Sequence, residues 1–200
     1  MTGRRIRAAA AAVGLAAVLA GCGIRSTEVP TDYGPAPSRV PCVMSGSSIA
    51  AQSGRGVPVQ VFLVCAAQLV TVDRNVQIST DKATTDRVRI AQALLDELAT
   101  PPSVQEKEAG FATDVRGGTT VTGPREGDPS DALRFSTRPE DLSAFALAQI
   151  VCTLADSAAS SDDHSVIMGG PGDDPLREYA CTAEVRSRPG TVAPPAESLK

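Results

Sequence analysis

The sequence predicts an α+β domain, a two-layer sandwich of order ββ-α-ββ-α-ββ with its helices on one face of a mixed or antiparallel sheet. Three observations carry this. "VPVQVFLVC" and "QLVTVDRNV" are strand-like runs with only Ala66-Ala67 between them. The next ordered segment changes from a two-residue to a helical apolar period, and the same sequence of strand pair and helix then recurs. Helices that alternate with strand pairs have one face to bury, and a sheet is the surface at hand.

In the first run Val59, Val61, Leu63 and Cys65 share one face, while Phe62 and Val64 make the opposite face apolar as well. A strand apolar on both faces belongs well inside a sheet. Polar "QISTDKAT" leads into a helix whose stripe is Val88, Ala91, Leu94, Leu95 and Leu98, with Arg89, Gln92, Asp96 and Glu97 turned largely away. Thr84 or Thr85 is placed to cap it, and Pro101-Pro102 stops it. Ser103-Val-Gln-Glu106 spells a capping box for a short helix that ends at Gly110.

"TTVTG" and "DALRFS" read as two more strands around the turn-rich "PREGDP". Pro139 is expected to open the second main helix, with Leu147, Ile150, Val151 and Leu154 as its core stripe and Glu140 and Asp141 at its positive end. "SVIMG" and "LREYACTAE" form the terminal strand pair around "GPGDDP".

The amino terminus has a different character. Arg4, Arg5 and Arg7 precede an apolar run at 8–20 that is shorter than the ~20 residues a bilayer span needs, and "LAGC" ends it. That order resembles a bacterial lipobox. The resemblance implies diacylglycerol on the Cys22 sulfur, cleavage before it, and removal of residues 1–21 as a lipoprotein signal peptide. Two or more acyl chains anchor stably where one does not. Residues 22–41 then read as the lipidated cysteine and a Pro/Gly-broken tether, 42–185 as the α+β domain, and 186–200 as a disordered tail. Loss of 1–21 removes three arginines and no acid, which takes the net charge from −4 to −7. An acidic mature chain disfavours nucleic acid as a partner.

Several segments together are similar to the GerMN domain of sporulation, germination and actinobacterial cell-envelope lipoproteins. They are the strand at 59–64 with its hairpin partner at 69–72, the L-L-x-x-L helix end and proline at 94–101, the G-x-x-T-x-[IV] step at 110–115, and "ALAQIVCTL" at 146–154. The likeness spans about residues 57–183. Cys152 departs from it, standing where tyrosine or asparagine is usual. The resemblance implies a non-enzymatic envelope module with no catalytic residue to carry over.

With Cys22 lipidated, Cys42, Cys65, Cys152 and Cys181 remain in an exported domain, an even number that suits disulfides. Three pairings exist, and chain proximity favours Cys42 with Cys65 and Cys152 with Cys181. Zinc is disfavoured, since no cysteines stand in C-x-x-C spacing and the single histidine, His164, has no ligand spacing with any of them. No other cofactor is implied.

Other chemistry-bearing patterns are weak. Ser79-Thr-Asp-Lys82 matches S-x-x-K, but it sits in a polar link and no K-T-G accompanies it. Asp162, Asp163 and His164, like Asp173 and Asp174, fit no calcium-loop spacing. Pro171 removes an amide that a phosphate cradle at 169–172 would use. The expectation is a lipid-anchored protein on the extracytoplasmic face of the membrane. It would act without catalysis by binding another envelope protein, for instance as an accessory to a sensor kinase. The alternative is a small-ligand or cell-wall glycan binder, for which two tyrosines, four phenylalanines and no tryptophan supply few stacking platforms.

Overall fold

The first strand-like run becomes β1 (Val57–Cys65), which pairs antiparallel along its whole length with β2 (Gln68–Val76), from Val57 opposite Val76 to Cys65 opposite Gln68. The two-residue link places both Ala66 and Ala67 at positive φ, 49° and 61°. That is the handedness a tight hairpin turn demands, because it matches the right-handed twist of the strands. The computed structural model describes residues 42–43, 56–78, 86–161 and 164–199. Cys22, Ser79, Lys82, Asp162, Asp163 and the two candidate cap residues, Thr84 and Thr85, therefore lie outside the described residues.

The helical stripe forms α1 (Asp86–Ala99), and Val88, Ala91, Leu94, Leu95 and Leu98 are all buried as the period requires. The short α2 (Val104–Glu108) follows with its capping box in place: Ser103 Oγ accepts from the Glu106 amide, and Glu106 Oε2 accepts from the Ser103 amide. Glu106 has a second task. Arg74 of β2, 9% exposed, donates to both Glu106 oxygens at 3.1 and 2.8 Å and to Glu97 of α1 at 2.7 Å. One guanidinium thus ties β2 to the end of α1 and the start of α2.

The strands divide between two sheets. β3 (Phe111–Ala112) flanks β1 on the side away from β2, giving the order β2-β1-β3. The second sheet has the order β4-β5-β6-β7-β8, built from β4 (Val121–Thr122), β5 (Leu133–Phe135), β6 (Ser165–Gly169), β7 (Arg177–Ala180) and β8 (Ala196–Ser198). Among the described strand pairs only β5–β6 is parallel, and the chain between them runs through a helix. The α+β class holds, with β1 internal to its sheet as its two apolar faces require.

That helix, α3 (Ala144–Ala155), differs from the expected amphipathic element. It starts five residues later than Pro139, which instead opens a separate 3₁₀ turn (Pro139–Asp141). Leu142 is extended at ψ 150°, and Ser143 becomes the cap, its Oγ accepting from the Ala146 amide. Ile150, Val151 and Leu154 are buried as expected, but so are Ala146, Ala148, Gln149, Cys152, Thr153 and Ala155. The reason is position: α3 packs on β1 of one sheet, on β6 and β7 of the other, and on α1. Ile150 and Leu154 join the main core, while Ala148 and Cys152 join a second cluster with Phe62, Leu69 and Val185.

The carboxy-terminal segment is a correction to the expected tail. After α4 (Ala183–Ser187), capped by Thr182, the chain turns back and β8 pairs antiparallel with β7, Tyr179 opposite Ala196. Val185 is fully buried, and Gly190 lies against the Phe145 ring, which a Cβ there would meet at 2.7 Å. A Pro/Gly-rich composition describes the turns of this segment and misses the strand at its end.

Candidate functional site: a disulfide frame and a polar cleft

Of the sequence-derived site residues, the structure brings four together as two bridges. Cys42 is bonded to Cys65 with Cα atoms 5.8 Å apart, and Cys152 to Cys181 at 4.9 Å. Cys65 closes β1, and the Cys42 amide donates to the Ala109 carbonyl at 3.2 Å, which fixes the start of the domain against the end of α2. Cys152 lies on α3 and Cys181 directly follows β7, so this bridge clamps the central helix to the five-stranded sheet. The pairing is the one chain proximity favours.

The other candidates do not converge. His164 is exposed at φ 68°, and its carbonyl accepts from the Cys181 amide at 2.8 Å, which is a turn role. Asp173 meets Arg125 at 3.3 Å, and Asp174 Oδ2 lies 3.0 Å from Arg138 Nε, an ion-pair contact without hydrogen-bond alignment. Among the described residues no three of His, Cys, Asp and Glu gather as a metal cage.

Sequence reasoning missed the most heavily bonded charge in this region. Arg134 of β5, 7% exposed, donates to Asp128 through Nε and Nη2 at 2.6 and 2.8 Å and to the carbonyls of Asp174 and Gly170 at 3.0 and 3.3 Å. The Arg134 hydrogen bonds, helped by the Arg125 amide and opposed by desolvation, lower the Asp128 pKa to about 2. Arg134 is in turn raised by the same contact. Arg134 thus staples the β4–β5 and β6–β7 loops at one end of the sheet, and the second loop is closely packed: a Cβ on Gly170 would run into Asp174 Oδ2 and come 3.0 Å from Arg138 Cγ.

A cleft of about 550 Å³ opens between the segment joining β3 to β4 and the start of α3. Its floor is apolar, made by Val115, Ala146 and Ile150, which are 6%, 4% and 1% exposed. Its walls carry Asp114, Arg116 and Asp141 as charges and Thr119, Thr137 and Ser143 as hydroxyls.

Polar groups beneath hold the wall in place. The fully buried Gln149 of α3 accepts from the Asp114 amide at 2.8 Å, and Thr113 Oγ1 donates to the Leu98 carbonyl at 2.6 Å. Ser143 donates its proton to Asp114 Oδ2 while its oxygen caps Ala146, so both sides of this hydroxyl are in use. Thr119 and Thr137 share one hydrogen bond at 3.2 Å, which leaves the pair one hydroxyl proton over. Gly118, at φ 98° with open space for 4 Å around the place a Cβ would take, makes the turn at the rim.

No helix among the described residues is long and apolar enough to cross a membrane. Comparison of the chain with protein-family models, with curated proteins and with solved structures yields no match.

Proposed function

We propose that the chain is an extracytoplasmic lipoprotein, anchored through acyl chains on Cys22, whose domain works without catalysis by engaging another protein of the cell envelope. The observation that carries this reading is the partition of the cysteines. Cys42, Cys65, Cys152 and Cys181 are consumed in two bridges, so Cys22, the fifth cysteine, belongs to neither. It stands directly after Leu19-Ala-Gly, the place where an export signal would hand it to lipid. Two disulfides in one domain also favour an oxidising compartment. A GerMN-type envelope module, with a sensor kinase as one candidate partner, fits the same address and rests on the residue resemblance alone.

Labelling with a radioactive fatty acid tests the anchor. The wild-type chain should take up label and partition with membranes, and Cys22→Ser should do neither while keeping its unfolding midpoint. An unlabelled wild-type protein overturns the lipoprotein reading. Crosslinking in intact cells followed by purification from detergent should then recover an envelope protein in a manner that requires the anchor.

The second reading is a small-ligand or glycan binder, and the polar cleft beside α3 favours the small ligand. Among the described residues no aromatic side chain lines that cleft, so it offers a sugar ring no stacking surface.

A further inference from the structure

The charges lining the cleft are one guanidinium and two carboxylates, and they are not paired off against each other. Asp114 is engaged by Ser143, whereas among the described residues no side chain meets Arg116 or Asp141 in an ion pair or hydrogen bond, and both are exposed. A cation and a carboxylate that flank an apolar floor without neutralising one another recognise a molecule that carries both signs. A simple anion would feel two carboxylates for each cation, and a simple cation would leave Arg116 unused. Val115, Ala146 and Ile150 below offer aliphatic contact only, and the Thr119–Thr137 pair has a hydroxyl proton left to donate.

The walls are also built before any ligand arrives. Gln149, Thr113 and the Ser143–Asp114 hydrogen bond hold residues 113 and 114 from beneath, and Gln92 donates to the Thr119 carbonyl at the far end, so the wall is anchored at both ends and binding has chiefly the Arg116 and Asp141 side chains to order. The volume of about 550 Å³ lies within the range of small-ligand sites.

We propose that this cleft binds a short zwitterionic peptide with small aliphatic side chains, its α-carboxylate on Arg116, its α-ammonium on Asp141, and its side chains over Ala146 and Ile150. Guanidinium and carboxylate match in planar, two-point fashion, which gives the carboxylate end its orientation. Binding here depends neither on the lipid anchor nor on any protein partner.

The test is isothermal titration calorimetry of the full chain, purified in detergent, with alanyl-alanine as the probe. Saturable binding with a dissociation constant at or below about 1 mM is expected. N-acetyl-alanyl-alanine and alanyl-alanine amide should each bind at least tenfold more weakly. Arg116→Gln and Asp141→Asn should each weaken the free dipeptide at least tenfold, with the unfolding midpoint unchanged because both side chains are exposed. Absence of saturable heat for the wild type overturns the proposal, as does wild-type affinity in Arg116→Gln. Acetate or ammonium binding as tightly as the dipeptide would likewise overturn it, by reducing the site to a simple ion site. Failure to label Cys22 leaves these outcomes untouched.

Discussion

The side-chain amide of Gln149 donates to the carbonyl of Phe62 across 2.9 Å, and by doing so a helix takes the place of a strand. In the β1–β2 register Cys65 and Gln68 close the turn, so the backbone groups of Phe62, three residues back, point to the opposite edge of β1. There β3 pairs only with Val64 and Cys65. Thr153, one turn along α3 from Gln149, accepts from the Phe62 amide at 3.0 Å. Both backbone groups of a residue 3% exposed are thus satisfied by side chains, as a buried backbone requires.

Gln149→Leu should therefore cost more than its change in volume suggests. It strands the buried Phe62 carbonyl, at about 1–3 kcal/mol, and also removes the partner of the Asp114 amide, which lies nearer solvent. Thr153→Val, which strands one amide, should cost about 1–3 kcal/mol. Urea unfolding of both single variants and the double variant checks this. A loss below 0.5 kcal/mol for Gln149→Leu, an order-of-magnitude floor for a typical hydrogen bond at about 0.5–1.5 kcal/mol, would show that water replaces the side chain.

The Arg134–Asp128 pair sets an acid dependence. The folded Asp128 carboxyl titrates near pH 2, below its unperturbed 3.8, chiefly because Arg134 hydrogen-bonds its charged form. The unfolded chain therefore takes up this proton first. The contribution is fully present above the unfolded value and is lost as pH falls from there through about 2. Asp128→Asn should flatten the pH dependence of the unfolding midpoint across that window. A wild-type slope retained in the variant would assign the acid dependence to other carboxylates.

Elements whose partners lie nearby in the chain were legible from residues alone, and elements whose partners lie far away were not. The hairpin needs only Ala66-Ala67 between two apolar runs, the capping box needs only Ser103 and Glu106, and the α1 stripe follows from its period. Proximity likewise pointed to both bridges. Gln149 and Thr153 read as polar positions, and nothing local says that the backbone of Phe62, about ninety residues earlier, consumes them. For the same reason Arg74 and Arg134 pass for surface charges until two helices close over the first and two loops over the second. β8 pairs through three exposed residues, so it leaves no apolar signal to read. The cleft escaped because its walls come from two segments brought together by the ends of β3 and α3.

The two bridges should stabilise by comparable amounts. They close 23 and 29 residues of sequence, which the chain-entropy estimate converts to about 3–4 kcal/mol each. They should differ in what their loss exposes. Cys152→Ala with Cys181→Ala unclamps the central helix from the sheet, whereas Cys42→Ala with Cys65→Ala frees only the start of the domain. Hydrogen exchange should accordingly show faster exchange in α3 and β7 for the first pair of substitutions, and near Cys42 and Ala109 alone for the second. Equal, global acceleration in both variants would contradict that division.

The β1–β2 turn carries strain that a substitution can remove. Ala66 and Ala67 both occupy positive φ, where a Cβ crowds the backbone at a cost of roughly 1–2 kcal/mol per residue. Asn-Gly is the dipeptide that adopts two such conformations most readily in a two-residue hairpin. Both alanines are exposed, so no packing is lost by exchanging them. Ala66→Asn combined with Ala67→Gly should therefore raise stability by about 1 kcal/mol, part of the relief being offset by the greater freedom of glycine in the unfolded chain. The gain should appear as an upward shift of the urea midpoint with an unchanged slope, since the surface exposed on unfolding stays the same. Ala67→Val places a β-branched side chain in the same conformation and should move the midpoint the opposite way. A midpoint lowered by Asn-Gly would mean that the turn is not held in this geometry.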